Sequence, residues 1–218
     1  LPYVQKAKHN SALENKWRYV VTSYYNNIKL SGFVYSYIYA FETVLKAKIC
    51  NLMSDSFGFD WYKNTELLSR GNKSSKEYIK SFVEDYLSKT SIEKQDINDF
   101  IENGTTFGFW VSVIDSGYFW ESKEIELRKI FAEGEIGKTM LSKKQIVNKI
   151  KAINDLRNRV AHFNQVYDCY ISTRKGNYYK FEDVFSQILY LSGLMNFDIQ
   201  KQVEISGKIQ SLEHTRTI

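Results

Sequence analysis

Apolar residues recur at helical spacing just before the most polar stretch of the chain. Between residues 142 and 162 they are Ile146, Ile150, Ile153 and Val160, with one longer gap. This spacing predicts one helix with a buried face over residues 142–162. Asn154, Asn158 and His162 follow at four-residue steps and form one polar stripe, in which each residue lies about 40° round the helix from the last. Polar side chains beside a core need partners or a function.

The same periodicity predicts further helices over residues 12–28, 33–54, 76–89, 91–102, 107–114, 121–133, 181–195 and 197–211. We expect Ser31-Gly32 to separate the first two of them. The helix over 33–54 is apolar on nearly all of its circumference, which indicates a central position in the core. Residues 170–179 alternate around Lys175-Gly176-Asn177, which predicts a β-hairpin. The predicted fold is therefore an all-α bundle with at most one small hairpin near residues 170–180.

Composition fits one helical domain over residues 1–218. Proline occurs once and glycine only 11 times, so few residues break helices. We expect residues 1–30 to form an N-terminal helical extension and residues 181–218 to close the bundle. Two cysteines are too few for a disulfide framework, which fits a reducing compartment. There is no visible signal peptide and no apolar run of roughly 18 residues, so we predict a cytoplasmic protein without a membrane contact.

Basic charge is concentrated around the polar stripe. The whole chain carries +5, whereas residues 137–180 hold ten basic and two acidic side chains, a net +8. Such a surface favours a polyanion, although a solvated lysine-rich helix would show the same pattern. We predict that RNA is bound by Tyr178, whose ring could stack on a base, and by the basic residues Lys143, Lys144, Lys149, Lys151, Arg159, Arg174 and Lys175.

Other chemistries find less support in the sequence. Residues 132–139 imitate a phosphate-binding loop, but Ala132 replaces its first glycine and two glutamates would repel a phosphate. The chain has three histidines and no Cys-x-x-Cys pair, so we expect neither a metal site nor a cofactor. A nucleophilic pair of Cys169 with His162 is conceivable, but an inert buried cysteine is the favoured interpretation.

Arg157 and His162 are the candidate reactive groups. An arginine stays charged and a histidine exchanges protons near neutral pH, so together they suit chemistry on a phosphodiester. The alternative is that the arginine caps helix carbonyls and the histidine is a satisfied core residue. Glu42 lies inside the most apolar helix, where a carboxylate needs a partner. It forms either a buried ion pair with some lysine or arginine, or a specific pair that orients Arg157 or another residue of the polar stretch.

These residues carry a resemblance to a known family. Residues 155–164, Asp-Leu-Arg-Asn-Arg-Val-Ala-His-Phe-Asn, resemble the Arg-Asn-x-x-Ala-His segment of the Abi (abortive infection) proteins of bacterial phage defence, which belong to the HEPN superfamily. Residues 39–46 resemble the family's Ile-Glu-x-x-Leu-Arg helix, and residues 105–110 resemble its Thr-Phe-Gly helix start. The family often has a second histidine where this chain has Phe163.

The resemblance implies an α-helical, metal-independent endoribonuclease, acting as the toxin of a phage-defence or toxin–antitoxin system. Arg157, Asn158 and His162 would be its catalytic residues, with Glu42 and Asn154 in support. The expected partners are RNA, as substrate and as a candidate inhibitor, and a second copy of the chain. The alternative is a non-catalytic RNA-binding protein that uses the same basic face, and a third interpretation is a helical module that binds only protein.

Overall fold

The computed structural model describes residues 16–64, 73–116, 129–131, 141–166, 170–172 and 178–216. Its helices are α1 (Lys16–Phe57), α2 (Lys73–Lys89), α3 (Ile97–Asp99), α4 (Phe107–Asp115), α5 (Lys143–Ala161), α6 (Phe181–Leu194) and α7 (Ile199–Arg216). Strands β1 (Tyr170–Ser172) and β2 (Tyr178–Lys180) pair antiparallel. The predicted fold class, mostly helical with one small hairpin, is confirmed. None of the described helices is both long and apolar enough to cross a membrane.

The central helix is longer than predicted. α1 runs without interruption for 42 residues, so the predicted break at Ser31-Gly32 is wrong. Ser31 is buried on the core face together with Val34 and Ile38, and a glycine inside a helix costs only about 1 kcal/mol, which packing can offset. The helix ends instead at Phe57, directly before Gly58, whose φ of 83° is the left-handed conformation typical of a helix terminus.

The predicted acidic helix over residues 91–102 is also wrong. The chain forms a 3₁₀ turn over Ile92–Lys94, then α3, then a π-helical turn over Phe100–Gly104. Asp96 is the physical cause, because its carboxylate accepts a hydrogen bond from the Asp99 backbone N–H at 2.7 Å and so begins a new helix. At the end of the π-helical turn, a Cβ on Gly104 would lie 2.8 Å from the ring of Tyr86.

Three other predicted helices differ in outcome. The helix predicted over 76–89 begins earlier, at Lys73. The helix predicted over 121–133 lies outside the described residues apart from 129–131. The helix predicted over 107–114 is confirmed as α4, because the Thr106 hydroxyl accepts the Phe109 N–H at its first turn.

Helix α1 lies at the centre of the bundle and contacts α4, α5, α6 and α7. Helix α4 lies between α2 and α5, and α5 also contacts α6 and β1. One end of the core is an aromatic cluster with edge-to-face and stacked rings, made by Trp61, Tyr62, Tyr86, Phe100, Phe109 and Trp110. The Trp110 indole N–H donates to the Thr105 hydroxyl at 3.0 Å, which fixes the start of α4. This packing places the polar stripe of α5 beside α1.

The hairpin has one buried and one exposed face. Its register pairs Tyr170 with Lys180, Ile171 with Tyr179, and Ser172 with Tyr178. Ile171 is buried, and Tyr179 is partly buried against the core. The opposite face therefore presents Tyr170, Tyr178 and Lys180 to solvent.

Candidate active site at the end of helix α5

The polar stripe stands on a well-defined helix. Ser142 caps α5, because its hydroxyl accepts the Gln145 N–H while the Gln145 side chain accepts the Ser142 N–H. The helix ends at Ala161, so the predicted bounds are right to within one residue. Its apolar face is buried, as the periodicity predicts, and consists of Ile146, Val147, Ile150, Ile153, Leu156 and Val160.

The end of α5 is closed by backbone hydrogen bonds around a left-handed residue. The Phe163 N–H donates to the Val160 carbonyl at 3.1 Å, and the Asn164 N–H donates to the Arg159 carbonyl at 2.9 Å. This pair of bonds is a Schellman motif, which requires a left-handed residue directly after the C-cap. His162 is the C-cap and Phe163, with φ of 53°, is the left-handed residue. Glycine is the usual residue at such a position because it has no Cβ.

A buried asparagine of α1 holds the segment that follows. The Asn27 side-chain amide donates to the Asn164 carbonyl at 3.2 Å, and its oxygen accepts the Val166 N–H at 2.8 Å. Asn27 is only 3% exposed, so these bonds are shielded from water. Asn27 is not among the functional residues predicted from the sequence. The available signal was its position four and seven residues before Ser31 and Val34, on the core face of α1.

Glu42 pairs with two cations, Lys46 on its own helix α1 and Arg157 on α5. Its Oε1 lies 2.7 Å from Lys46 Nζ, and its Oε2 lies 3.8 Å from Arg157 Nε. The cation pairing that both interpretations of Glu42 predict is present, since one carboxylate pairs with Lys46 and with Arg157, and the role of Glu42 in orienting Arg157 stays a prediction. One negative charge between two positive ones leaves a net positive charge at this point. Such a centre attracts an anion.

The guanidinium of Arg157 is only partly satisfied. Its Nη1 donates to the Asn158 side-chain oxygen at 3.4 Å, whereas its buried Nε has no hydrogen-bond acceptor among the described residues. The structure thus brings Glu42, Arg157 and Asn158 together. Asn154 is half-buried one turn earlier on α5. This arrangement leaves the guanidinium with donors to spare for a ligand.

His162 lies in a different environment from Arg157. The His162 side chain is exposed, and its backbone N–H donates to the Asn158 carbonyl at 3.1 Å. The interpretation of His162 as a satisfied core histidine is therefore wrong. On ideal helix geometry the Cα atoms of Arg157 and His162 are about 9 Å apart. Their side chains leave the helix in directions that differ by about 140° around its axis.

The predicted RNA-binding residues are in varied surroundings. Lys151 Nζ lies 2.6 Å from the Asp115 carboxylate, and Lys149 Nζ lies 5.9 Å from the ring centroid of Tyr190. The Arg159 guanidinium donates to the Gln165 carbonyl at 3.4 Å. Lys144 and Tyr178 are exposed. The side chain of Lys143, and all of Arg174 and Lys175, lie outside the described residues.

The other candidate chemistries gain no support from the residues that the structure describes. Burial raises the pKa of the Cys50 thiol above its usual value, which disfavours a nucleophilic thiolate. Cys169 and the loop over residues 132–139 lie outside the described residues. Within the described ranges, His, Cys, Asp and Glu side chains form no group of three that could hold a metal ion.

Comparison with protein-family models decides the relationship. The model of the Abi-like proteins matches residues 2–168. The chain belongs to the Abi-like protein family. The match includes Glu42, Arg157 and His162, and it ends before the hairpin and the last two helices. The family connects the chain with abortive infection, a form of phage defence. Neither the curated proteins nor the solved structures contain a match to this Abi-like chain.

Proposed function

We propose that this Abi-like protein is a metal-independent endoribonuclease of the HEPN type, and that it acts as the toxin of an abortive-infection or toxin–antitoxin system. The observation that carries the proposal is the Arg157 guanidinium, held by Glu42 and left with free donors, on the helix that ends at an exposed His162. The surrounding +8 segment supplies the charge that draws in RNA.

The proposed reaction uses the RNA as its own nucleophile. The ribose 2′-oxygen bonds to the adjacent phosphorus while the bond from phosphorus to the 5′-oxygen breaks. The 2′-hydroxyl loses a proton and the departing 5′-oxygen gains one; His162 carries out one of these transfers as base or acid, and water carries out the other. Arg157 stabilises the charge that develops on the phosphorane, and Asn158 keeps the guanidinium in place. The products are a 2′,3′-cyclic phosphate and a free 5′-hydroxyl.

The divergence of Arg157 and His162 on one helix favours two copies of the chain. One copy would contribute the guanidinium and the other the imidazole, across a two-fold axis. A non-catalytic RNA-binding protein is the second candidate, because the basic segment around α5 would serve it equally well. The two candidates differ in products, since only a nuclease of this kind generates new 5′-hydroxyl ends.

The test compares Arg157→Ala and His162→Ala with Lys201→Ala, which removes a charge from an exposed position on α7 that is not among the predicted RNA-binding residues. Purified protein is incubated with cellular RNA, and new 5′-hydroxyl ends are counted by phosphorylation with a labelled nucleotide. We expect each of the first two variants to lower cleavage about 100-fold or more. Lys201→Ala should retain cleavage within a few-fold. Tight RNA binding by the wild type without new 5′-hydroxyl ends would favour the second candidate.

A further inference from the structure

Phe163 is an outlier in two independent ways. Its φ of 53° is a conformation that an L-residue adopts at a cost of about 1–2 kcal/mol. Its side chain is 75% exposed, and no ring of the described residues stacks on it. Neither the cap of α5 nor the core therefore benefits from a phenylalanine here. A strained residue directly after a candidate reactive histidine indicates a functional role.

Two further exposed rings lie close in the chain. Tyr170 is 59% exposed and Tyr178 is 70% exposed, and both stand on the outer face of the hairpin with Lys180. Tyr170 follows Val166 by four residues, so their Cα atoms are at most about 14 Å apart. Asn27 ties Val166 to α1, and β1 contacts α5. Phe163, Tyr170 and Tyr178, here called the aromatic track, thus lie on the stretch of chain that runs from the end of α5 to the hairpin packed against it.

We propose that the aromatic track stacks on unpaired bases of single-stranded RNA and so restricts the enzyme to unpaired targets, an inference that rests on the proposed nuclease function. Phe163 holds the base next to the cleaved phosphate, and the hairpin tyrosines hold bases further along the strand. Aromatic rings bind any base with an open face, and the bases of a duplex already use both faces. Phenylalanine has two rotatable side-chain bonds, so little entropy is lost on stacking.

The surroundings of the aromatic track favour RNA over a protein partner. Phe163 stands between the exposed polar residues His162 and Asn164, and Lys180 is the cross-strand neighbour of Tyr170. The centre of a protein interface is depleted in charge and carries adjoining apolar residues. Isolated rings interleaved with basic and polar groups are typical of a single-stranded nucleic-acid surface.

The experiment measures binding separately from cleavage. The probe is an RNA oligonucleotide of mixed sequence in which every 2′-hydroxyl is methylated, so that it cannot be cleaved by the proposed route. It is offered alone and annealed to its complement. The variants of the full chain are Phe163→Leu, which removes the ring, and Phe163→Trp, which restores one. Phe59→Leu is the matched control, because Phe59 is also 75% exposed.

We expect the wild type to prefer the single strand, and Phe163→Leu to weaken single-strand binding by about fivefold or more. Phe163→Trp and Phe59→Leu should bind as the wild type does, and duplex binding should not change. Unchanged single-strand affinity in Phe163→Leu would overturn the inference. So would a change in the sedimentation of the RNA-free Phe163→Leu protein without a change in RNA affinity, because Phe163 would then contact protein.

The same measurements separate this inference from the nuclease proposal. If the wild type produces 5′-hydroxyl ends and Phe163→Leu binds the single strand normally, the aromatic track alone is refuted. If the wild type cleaves no RNA but binds the single strand through Phe163, the nuclease proposal fails and the aromatic track stands as an RNA-binding surface.

Discussion

Helices α5 and α6 end in the same backbone motif with opposite choices of side chain. At the end of α6, the Asn196 N–H donates to the Gly193 carbonyl at 2.9 Å and the Phe197 N–H donates to the Ser192 carbonyl at 3.0 Å. The left-handed residue is Asn196, with φ of 54°, whereas at the end of α5 it is Phe163, with φ of 53°. The hydrogen bonds are equivalent, so the difference lies in the side chains.

The side chains at the end of α6 serve stability. Asparagine tolerates the left-handed conformation, and Phe197 follows it and packs against the core. At the end of α5 the order is reversed, since the aromatic residue is exposed at the left-handed position and a polar residue follows. A cap that departs from the stable pattern beside His162 and Arg157 is consistent with selection for function at that place.

We expect Asn27→Leu to have the largest effect on stability. The end of α5 is held by a side chain of α1, whereas the end of α6 is held by Phe197, which comes shortly after that helix. The substitution removes the two hydrogen bonds to residues 164 and 166, at a cost of about 1–3 kcal/mol. Amide hydrogen exchange should accelerate at residues 162–166 and stay unchanged at 195–197. Asn26→Leu, the same change at an exposed neighbour, is the control. Equal acceleration at both ends would show that Asn27 stabilises the whole bundle.

Some of this arrangement follows from sequence and some does not. The bounds of α5 and the hairpin follow from local periodicity and from a capping residue, Ser142, that acts within one turn. The pairing of Glu42 with Arg157 was foreseen as one of two alternatives, because a carboxylate in an apolar helix needs a cation. Those features depend on nearest neighbours or on a general rule about charge.

The missed features depend on distant contacts. Asn27 bonds residues that are 137 and 139 positions away, so nothing near it in the sequence identifies its partners. The continuity of α1 through Ser31-Gly32 depends on core packing that outweighs local helix propensity. The left-handed Phe163 was unforeseen because phenylalanine, unlike glycine, does not mark that conformation.

A second prediction concerns the ion pair that Glu42 makes with Arg157, close to the end of α5. Glu42→Gln removes the acid that holds Arg157 and Lys46, and we expect it to lower kcat about tenfold by loosening the guanidinium. Because these side chains keep some contact with water, the stability loss should be about 1–2 kcal/mol, below that of a fully buried pair. The readouts are steady-state cleavage and thermal unfolding.

The matched control for Glu42→Gln is Glu84→Gln. Glu84 also pairs with a lysine at helical spacing, Lys80 at 3.8 Å, but both side chains are more than half exposed. Its replacement should change stability by less than about 0.5 kcal/mol and leave cleavage unchanged. If Glu42→Gln keeps full kcat while losing stability, Glu42 holds the two helices together and does not position Arg157.

The smallest expected change in stability comes from replacing the left-handed residue by glycine at each helix end, Phe163→Gly after α5 and Asn196→Gly after α6. Glycine relieves the left-handed strain at both positions, but phenylalanine has more strain to relieve than asparagine. Phe163→Gly should therefore raise stability by about 1 kcal/mol, or roughly 2–4 °C in Tm for a chain of this size. Asn196→Gly should change it by only about a few tenths of a kcal/mol.

Single-strand RNA binding should fall in Phe163→Gly despite the gain in stability, because the ring is lost. A Tm that falls in Phe163→Gly would mean that the exposed ring contributes to folding, and the two helix ends would then differ in packing instead of in strain.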